Sequence, residues 1–204
     1  MIIKRDFDAV AQSWDEEPRR VKLAGDIATA ICSKLNLSKE WDAIDVGCGT
    51  GLVTLALAPL LGSITGIDSS CAMLVKLAEK VKATGIANVK TALCDLSAGE
   101  MPDGDFHLII SAMTLHHIQD PAKLLSALTS HLRPGGWIAL ADLETEDGNF
   151  HDDPTGIFHH GFSKAELTNL LENSGYASVS ISEATAIQKG DRTYPVLLAV
   201  AQIY

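Results

Sequence analysis

The sequence lacks the features that mark secreted, membrane-spanning or nucleic-acid-binding proteins. Its four cysteines form no C-x-x-C pair and have no nearby histidine ligands, which argues against a disulfide framework and a zinc site. No apolar run near the N-terminus is typical of a signal peptide or a membrane span, so we expect a cytoplasmic protein. There is no lysine and arginine cluster, and a net charge of −10 would repel a polyphosphate, so we expect no nucleic-acid partner.

What is present is an ordinary globular composition. The chain has 204 residues, of which 47% are hydrophobic and 21% charged, and this predicts one domain across residues 1–204. We expect residues 1–36 to form an N-terminal cap and helix, and residues 143–162 to form a lid or acceptor loop. Glu144 to His160 holds five acidic residues and three histidines with few apolar ones, but their spacing fits no metal site, and none is predicted. The oligomeric state is not predicted.

Apolar patterns of alternating period predict an α/β fold. Helical and strand segments alternate through most of the chain, which indicates a parallel sheet. No crossover helix separates the last two strands, so that pair is expected to be antiparallel. Residues 7–20 are predicted to be less regular. The predicted strands are 43–46, 63–67, 89–93, 106–110, 137–141, 178–182 and 195–201, and the predicted helices are 21–35, 51–61, 69–84, one that starts at Asp120-Pro121 and one that runs from Ser163 to Gly175.

A glycine motif marks the end of the first strand. Gly47, Gly49 and Gly51 stand between a strand and a helix, where missing side chains allow a sharp turn and close approach to a ligand. Asp68 lies 21 residues after Gly47, at the tip of the second strand, where an acid can accept hydrogen bonds from ribose hydroxyls. These features indicate an adenosine-type cofactor. The nicotinamide pattern G-x-G-x-x-G would put Leu52 at the third glycine, which disfavours a nicotinamide-dependent oxidoreductase.

The order D-x-G-x-G-x-G from Asp45 to Gly51, the helix before the first strand and the Pro134-Gly135-Gly136 turn resemble the class I S-adenosylmethionine methyltransferases. The chain is most similar to the small methyltransferases that resemble the ubiquinone and menaquinone biosynthesis enzymes. The resemblance implies a Rossmann-like, doubly wound, seven-stranded sheet, mostly parallel, with an antiparallel C-terminal strand beside the fifth. It also implies S-adenosylmethionine as cofactor, S-adenosylhomocysteine as product, and direct displacement of the methyl group by a small-molecule acceptor.

The resemblance assigns cofactor-binding roles residue by residue. Asp68 would accept hydrogen bonds from the ribose hydroxyls, and Asp95 with Leu96 would contact the adenine amino group. Met73 would pack on adenine, with ordinary packing of its helix as the alternative. Cys48 occupies a position that accepts many small residues. The full predicted set is Trp14, Asp45, Gly47, Cys48, Gly49, Gly51, Asp68, Ser69, Met73, Asp95, Leu96, Ser111 and Ala112.

His116 and His117 are the candidate catalytic residues. They follow the fourth strand, and either could act as a general base near neutral pH, or be a loop histidine bonded to backbone. A module that binds the cofactor without catalysis remains an alternative, as does transfer of an aminopropyl group. Ser111-Ala112-Met113-Thr114 replaces the N-P-P-[FY] tetrapeptide of adenine and amide methyltransferases, which weakens such amino-group acceptors.

Overall fold

A seven-stranded sheet organises the fold in the order β3-β2-β1-β4-β5-β7-β6. The computed structural model describes residues 5–96 and 100–204, so residues 1–4 of the predicted N-terminal cap lie outside the described residues. The strands are β1 Asp42–Val46, β2 Ser63–Asp68, β3 Val89–Leu93, β4 Phe106–Ala112, β5 Leu132–Leu143, β6 Ala177–Lys189 and β7 Arg192–Gln202. The α-helices are α1 Pro18–Lys34, α2 Leu52–Leu57, α3 Cys71–Thr84, α4 Pro121–Thr129 and α5 Lys164–Asn173, and 3-10 helices span Asp8–Glu16, Ala58–Leu60 and Leu115–His117.

The sheet is parallel except for its C-terminal strand. β1 pairs in parallel with β2 and β4, and the parallel pairing continues to β3 on one side and β5 on the other. β7 lies between β5 and β6 and is antiparallel to both. The predicted fold class is therefore confirmed. A two-residue connection between β6 and β7 leaves no room for a crossover helix, and this forces the last strand to reverse direction.

Helices cover both faces of the sheet. Ala43, Leu108 and Ile110 face the core that α1 and α2 complete, whereas Ile44 and Ile109 face the core of α4 and α5. Neighbouring strand residues are therefore buried on opposite faces, and this explains why the central strands are continuous apolar runs. Leu108, Ile109 and Ile110 have no exposed surface, and burial of each is worth roughly 1.5–3 kcal/mol.

Several element boundaries differ from the predicted ones. The segment predicted to be less regular contains the 3-10 helix Asp8–Glu16, and α1 begins earlier than expected, at Pro18. Proline suits that first helical position because its fixed φ is already helical and the amide it lacks would have no helical partner. The helix predicted at 51–61 is α-helical only to Leu57 and ends in a 3-10 turn at Pro59, which cannot donate to the α-helical ladder.

The strand order reverses between β1 and β4, and this position determines where ligands can bind. In open α/β sheets, ligands bind at such a switch point, outside the carboxyl ends of the strands. The glycine loop follows β1 directly, and the residues after β4 begin at Met113, on the other side of the crevice. None of the described helices has both the length and the apolar character needed to cross a membrane.

Candidate active site

A cavity of about 1030 Å³ opens at the carboxyl ends of the central strands. Every predicted cofactor residue except Gly51 and Ser111 lines it, and so do both candidate catalytic histidines. The structure therefore brings together residues that are far apart in the chain. The predicted cofactor residues in the lining are Trp14, Asp45, Gly47, Cys48, Gly49, Asp68, Ser69, Met73, Asp95, Leu96 and Ala112.

The glycine loop is fixed by hydrogen bonds to the end of β2. The amides of Gly47 and Cys48 both donate to the carbonyl oxygen of Ile67, at 2.9 and 3.0 Å. Gly47 has a φ of 72°, and a Cβ atom there would lie 2.4 Å from the side chain of Thr114. Only glycine suits this position, because a side chain would be strained by the backbone angle and would collide with Thr114.

Two carboxylates lie beneath the loop, the half-buried Asp68 and the buried Asp45. Asp68 accepts hydrogen bonds from the amides of Gly49 and Ser70, each at 2.8 Å, and burial raises its pKa in spite of these bonds. Asp45 is 2% exposed and accepts a hydrogen bond of 2.5 Å from the hydroxyl of Thr54. Burial raises the pKa of Asp45 to about 6, the Thr54 hydrogen bond opposes this, and the charge of Asp68 adds to it. Such carboxylates suit the hydroxyl and amino donors of an adenosine-type cofactor.

Two predicted cofactor residues support the loop from behind instead of lining the cavity. A Cβ atom on Gly51 would lie 2.3 Å from Leu77, which shows that α3 packs directly against this glycine. The hydroxyl of Ser111 donates to the carbonyl oxygen of Val46 at 3.0 Å. Met73 is 2% exposed and also lines the cavity, so its burial suits both helix packing and an adenine contact. The individual roles of these side chains stay predictions.

The 3-10 helix Asp8–Glu16 covers the cofactor end of the cavity and is tied down at both ends. Asp8 accepts hydrogen bonds from the hydroxyl of Ser70 at 2.5 Å and from the amide of Ala72 at 3.0 Å. Asp15 binds the hydroxyl of Thr50 at 2.6 Å and forms a 2.7 Å ion pair with Lys80. The predicted N-terminal cap therefore contacts both the glycine loop and α3.

A histidine and an aspartate form a buried pair at the other end of the cavity. Nδ1 of His116 lies 2.6 Å from Oδ1 of Asp142, and these residues are 1% and 2% exposed. Burial alone would raise the pKa of Asp142, but the charge of His116 and three hydrogen bonds outweigh it and lower that pKa. An ionised carboxylate only accepts hydrogen bonds, so Nδ1 of His116 carries a proton and donates it to Oδ1, and Nε2 is the ring nitrogen that is left for another partner. Among the described residues, that Nε2 atom is buried without a hydrogen-bond partner.

Two further histidines pack around this pair. The ring of His116 lies 4.2 Å from that of His117 and 4.9 Å from that of His151, centroid to centroid. His117 shares a 2.8 Å hydrogen bond between Nδ1 and the carbonyl oxygen of Gly156. Burial, followed by the charge of His116, lowers the pKa of His117 to about 4 and that of His151 to about 3, so both rings are neutral at pH 7. Across residues 5–96 and 100–204, no set of three or more potential ligands has a geometry that could hold a metal ion.

The segment predicted as a lid or acceptor loop covers this histidine end. The amide of Phe158 donates to the carbonyl oxygen of His116 at 3.0 Å, and Lys189 forms a 2.7 Å ion pair with Asp152. The other two histidines of the segment lie outside the cavity lining: Nε2 of His159 is 3.0 Å from the carbonyl oxygen of Ile118, and His160 pairs with Glu146. The segment is thus held in contact with the site by hydrogen bonds and ion pairs.

Sequence reasoning did not predict that Asp142 pairs with His116. It also did not predict that Arg5 and His151 line the cavity. Asp142 lies near the end of β5, and His116 follows the neighbouring strand β4. An acid at the end of the next strand was a weak signal for such a pair, because strand order cannot be read from periodicity. The signal for His151 was limited to its place in the predicted lid or acceptor loop, because its exact position depends on how an irregular segment folds back.

The fold and the glycine-loop site resemble those of the class I S-adenosylmethionine-dependent methyltransferases, and the comparisons with known proteins support that class for this chain. Residues 43–136 match the methyltransferase domain family. A solved S-adenosylmethionine-dependent methyltransferase from Aquifex aeolicus has the same fold, with a TM-score of 0.75 and 23% identity over 98% of this chain and 100% of that one. The predicted family and cofactor are confirmed, and the nicotinamide alternative is set aside.

Curated relatives agree with this assignment. An uncharacterized methyltransferase of Schizosaccharomyces pombe is 31% identical over 68% of this chain and 54% of its own length. A ubiquinone biosynthesis O-methyltransferase of Pseudomonas paraeruginosa is 30% identical over 67% of this chain and 60% of its own length. The chain thus spans about half to three fifths of the length of these relatives.

Proposed function

We propose that the protein transfers the methyl group of S-adenosylmethionine to a small-molecule acceptor by direct displacement. The observation that carries this proposal is the continuity of the cavity, which is lined by the glycine loop at one end and by His116, the partner of Asp142, at the other. At about 1030 Å³ it has the volume of a large ligand pocket, which suits a cofactor together with a small second molecule. Cover segments above both ends suit a small acceptor better than a polymer.

The proposed reaction is a single displacement. A lone pair of the acceptor attacks the methyl carbon, the carbon–sulfur bond breaks, and its electron pair returns to sulfur to give neutral S-adenosylhomocysteine. Alignment of the two reactants in a dry site supplies much of the rate enhancement. If the acceptor is a hydroxyl group, its proton must also leave, and a base within hydrogen-bond reach accelerates that step.

His116 is the base that the geometry supports best. Its hydrogen bond to Asp142 fixes the tautomer, and among the described residues the buried Nε2 atom has no hydrogen-bond partner. The hydroxyl group of a bound acceptor would be that partner. His117 is a weaker candidate, because its pKa of about 4 makes it a poor base at neutral pH. The name of the Pseudomonas relative, an O-methyltransferase, is in keeping with a hydroxyl acceptor. We therefore favour methylation of oxygen.

This proposal can be tested with methyl-labelled S-adenosylmethionine and a cell extract. After incubation with the purified protein, the extract is separated into dialysable, RNA and protein fractions. We expect label in the dialysable fraction, and we expect its transfer to fail with His116→Asn although that variant still binds S-adenosylhomocysteine. Label in RNA or protein would contradict the small-molecule acceptor. Tight cofactor binding with no transfer to any fraction would support the alternative of a non-catalytic binding module.

A further inference from the structure

Three of the five arginines of the chain line the cavity, and none of them forms an ion pair with the residues that the structure describes. The two arginines outside the cavity each pair with an aspartate, Arg133 with Asp42 and Arg192 with Asp147. In contrast, no carboxylate of the described residues lies within ion-pair distance of the cavity arginines Arg5, Arg19 and Arg20.

These arginines are close enough to affect one another. Burial lowers the pKa of Arg20, and the positive charges of Arg5 and Arg19 lower it further, against the opposing charges of Glu17 and Asp15. On the opposite cover, Asp152 pairs with Lys189, and hydrogen bonds from Thr155 followed by the charge of Arg5 lower the pKa of Asp153, although no ion pair joins Asp153 to Arg5. Like charges that converge in a partly buried site repel one another, and a bound anion would remove that cost.

The three arginines divide between the two ends of the cavity. Arg20 stacks 3.8 Å above the ring of Trp14 and donates from Nη1 to its carbonyl oxygen, within the cover that Asp15 ties to the glycine loop. Arg5 lies at the histidine end, because a Cβ atom on Gly156 would meet its backbone nitrogen at 2.7 Å. Arg19 lines the cavity together with Asp152 of the opposite cover, whose pKa is lowered mainly by Lys189 and to a smaller extent by the charge of Arg19.

S-adenosylmethionine carries one carboxylate, and the cofactor-side arginine is sufficient for it. The guanidinium of Arg5 lies 5.6 Å from the centre of the Phe7 ring, which stands edge-on to His117 at 5.2 Å, and Arg19 lines the same cavity. We propose that Arg5 and Arg19 bind an acid group of the acceptor, either a carboxylate or a phosphate, and so select anionic small molecules. This inference rests on the proposed function, because it assumes that the histidine end holds the acceptor.

The test is a titration of the protein saturated with S-adenosylhomocysteine, whose own carboxylate then occupies the cofactor site. The probes are benzoate and phenyl phosphate, each compared with a neutral molecule of similar shape, benzamide and phenol. We expect at least one acid to bind roughly tenfold or more tightly than its neutral counterpart, the factor typical of a hydrogen bond to a charged group. Which acid binds tells whether the group recognised is a carboxylate or a phosphate.

Matched variants complete the test. Arg5→Gln and Arg19→Gln should each abolish the preference for the acid while S-adenosylhomocysteine still binds, and Arg133→Gln, outside the cavity, should keep it. Equal or absent binding of acids and neutral probes would overturn the inference, as would an equal loss in Arg133→Gln. Acids that S-adenosylhomocysteine displaces would also overturn it, since they would then occupy the cofactor site. Failure of the wild type to bind S-adenosylhomocysteine would instead refute the proposed function.

Discussion

At the cofactor end of the cavity the chain works through backbone geometry, whereas the histidine end depends on side chains from three separate segments. Gly47 and Asp68 follow directly from two neighbouring strands, and their positions are fixed by local hydrogen bonds. The other end joins His116 after β4, Asp142 on β5 and His151 from an irregular segment. Binding of a common cofactor can therefore be inferred from a contiguous motif, while recognition of a particular acceptor depends on tertiary packing.

The largest expected effect is at the histidine end. Asp142→Asn would leave His116 without the carboxylate that fixes its tautomer, so we expect kcat to fall by roughly 10²–10⁴. Because Asp142 lies away from the glycine loop, the affinity for S-adenosylhomocysteine should remain close to that of the wild type. Steady-state kinetics on an acceptor found by the labelling experiment, together with a titration of S-adenosylhomocysteine, measures both quantities. Equal loss of cofactor binding would mean that Asp142 has only a structural role.

The second prediction tests whether the backbone geometry of the glycine loop determines the structure at the cofactor end. Gly47→Ala combines a left-handed backbone angle with a collision against Thr114, and we expect it to destabilise the fold by about 3 kcal/mol. Gly85→Ala is the matched control, because Gly85 also has a positive φ but has nothing within 4 Å of an added Cβ, so about 1 kcal/mol is expected. Denaturant unfolding of both variants tests this, and equal losses would show that the close approach to Thr114 is unimportant.

A smaller effect is expected from Asp68→Asn. The carboxylate accepts amide hydrogen bonds on both of its oxygens, from Gly49 and Ser70, but an asparagine amide group would face one of these donors with its own N–H. We expect the affinity for S-adenosylhomocysteine to fall by roughly 10- to 100-fold, measured by calorimetry. Asp191→Asn, on an exposed turn, serves as control. Unchanged affinity in Asp68→Asn would remove this residue from the predicted cofactor site.

The smallest effect concerns the pH dependence of stability at the histidine end. The pKa of His117 is lowered to about 4 in the folded protein, against about 6.5 in an unfolded chain. Below about pH 6.5 the unfolded chain therefore binds a proton that the folded protein excludes, so the contribution of neutral His117 is complete above that pH and falls as the pH approaches 4. The loss amounts to about 2 kcal/mol at about pH 5.

The variant His117→Asn should lack this component. Asp45, whose pKa is raised to about 6, acts in the opposite direction, but it does so equally in the wild type and the variant. Denaturant unfolding of both proteins at about pH 7 and pH 5 therefore isolates His117 as the difference between them. Parallel pH profiles would show that the imidazole is not buried in its neutral form.

Much of the fold was predictable because its signals are local. The apolar run that ends at Val46, the glycines that follow it and the acid at Asp68 predicted a strand, a turn and a cofactor site, and the structure has β1, its loop and β2 in those places. Boundaries were less predictable where tertiary contacts override local preference. β6 extends from Ala177 to Lys189, far beyond the predicted strand, because pairing with β7 draws polar residues into the ladder.

By itself, the sequence determined the alternation of strands and helices, the position of the glycine loop and the cofactor class, since each depends on residues within a few positions of one another. Only the tertiary structure decided that Asp142 meets His116 and that Arg5 and Arg19 line the same cavity as the glycine loop. The physical reason is that such contacts depend on strand order and on the path of irregular segments, which no local periodicity encodes.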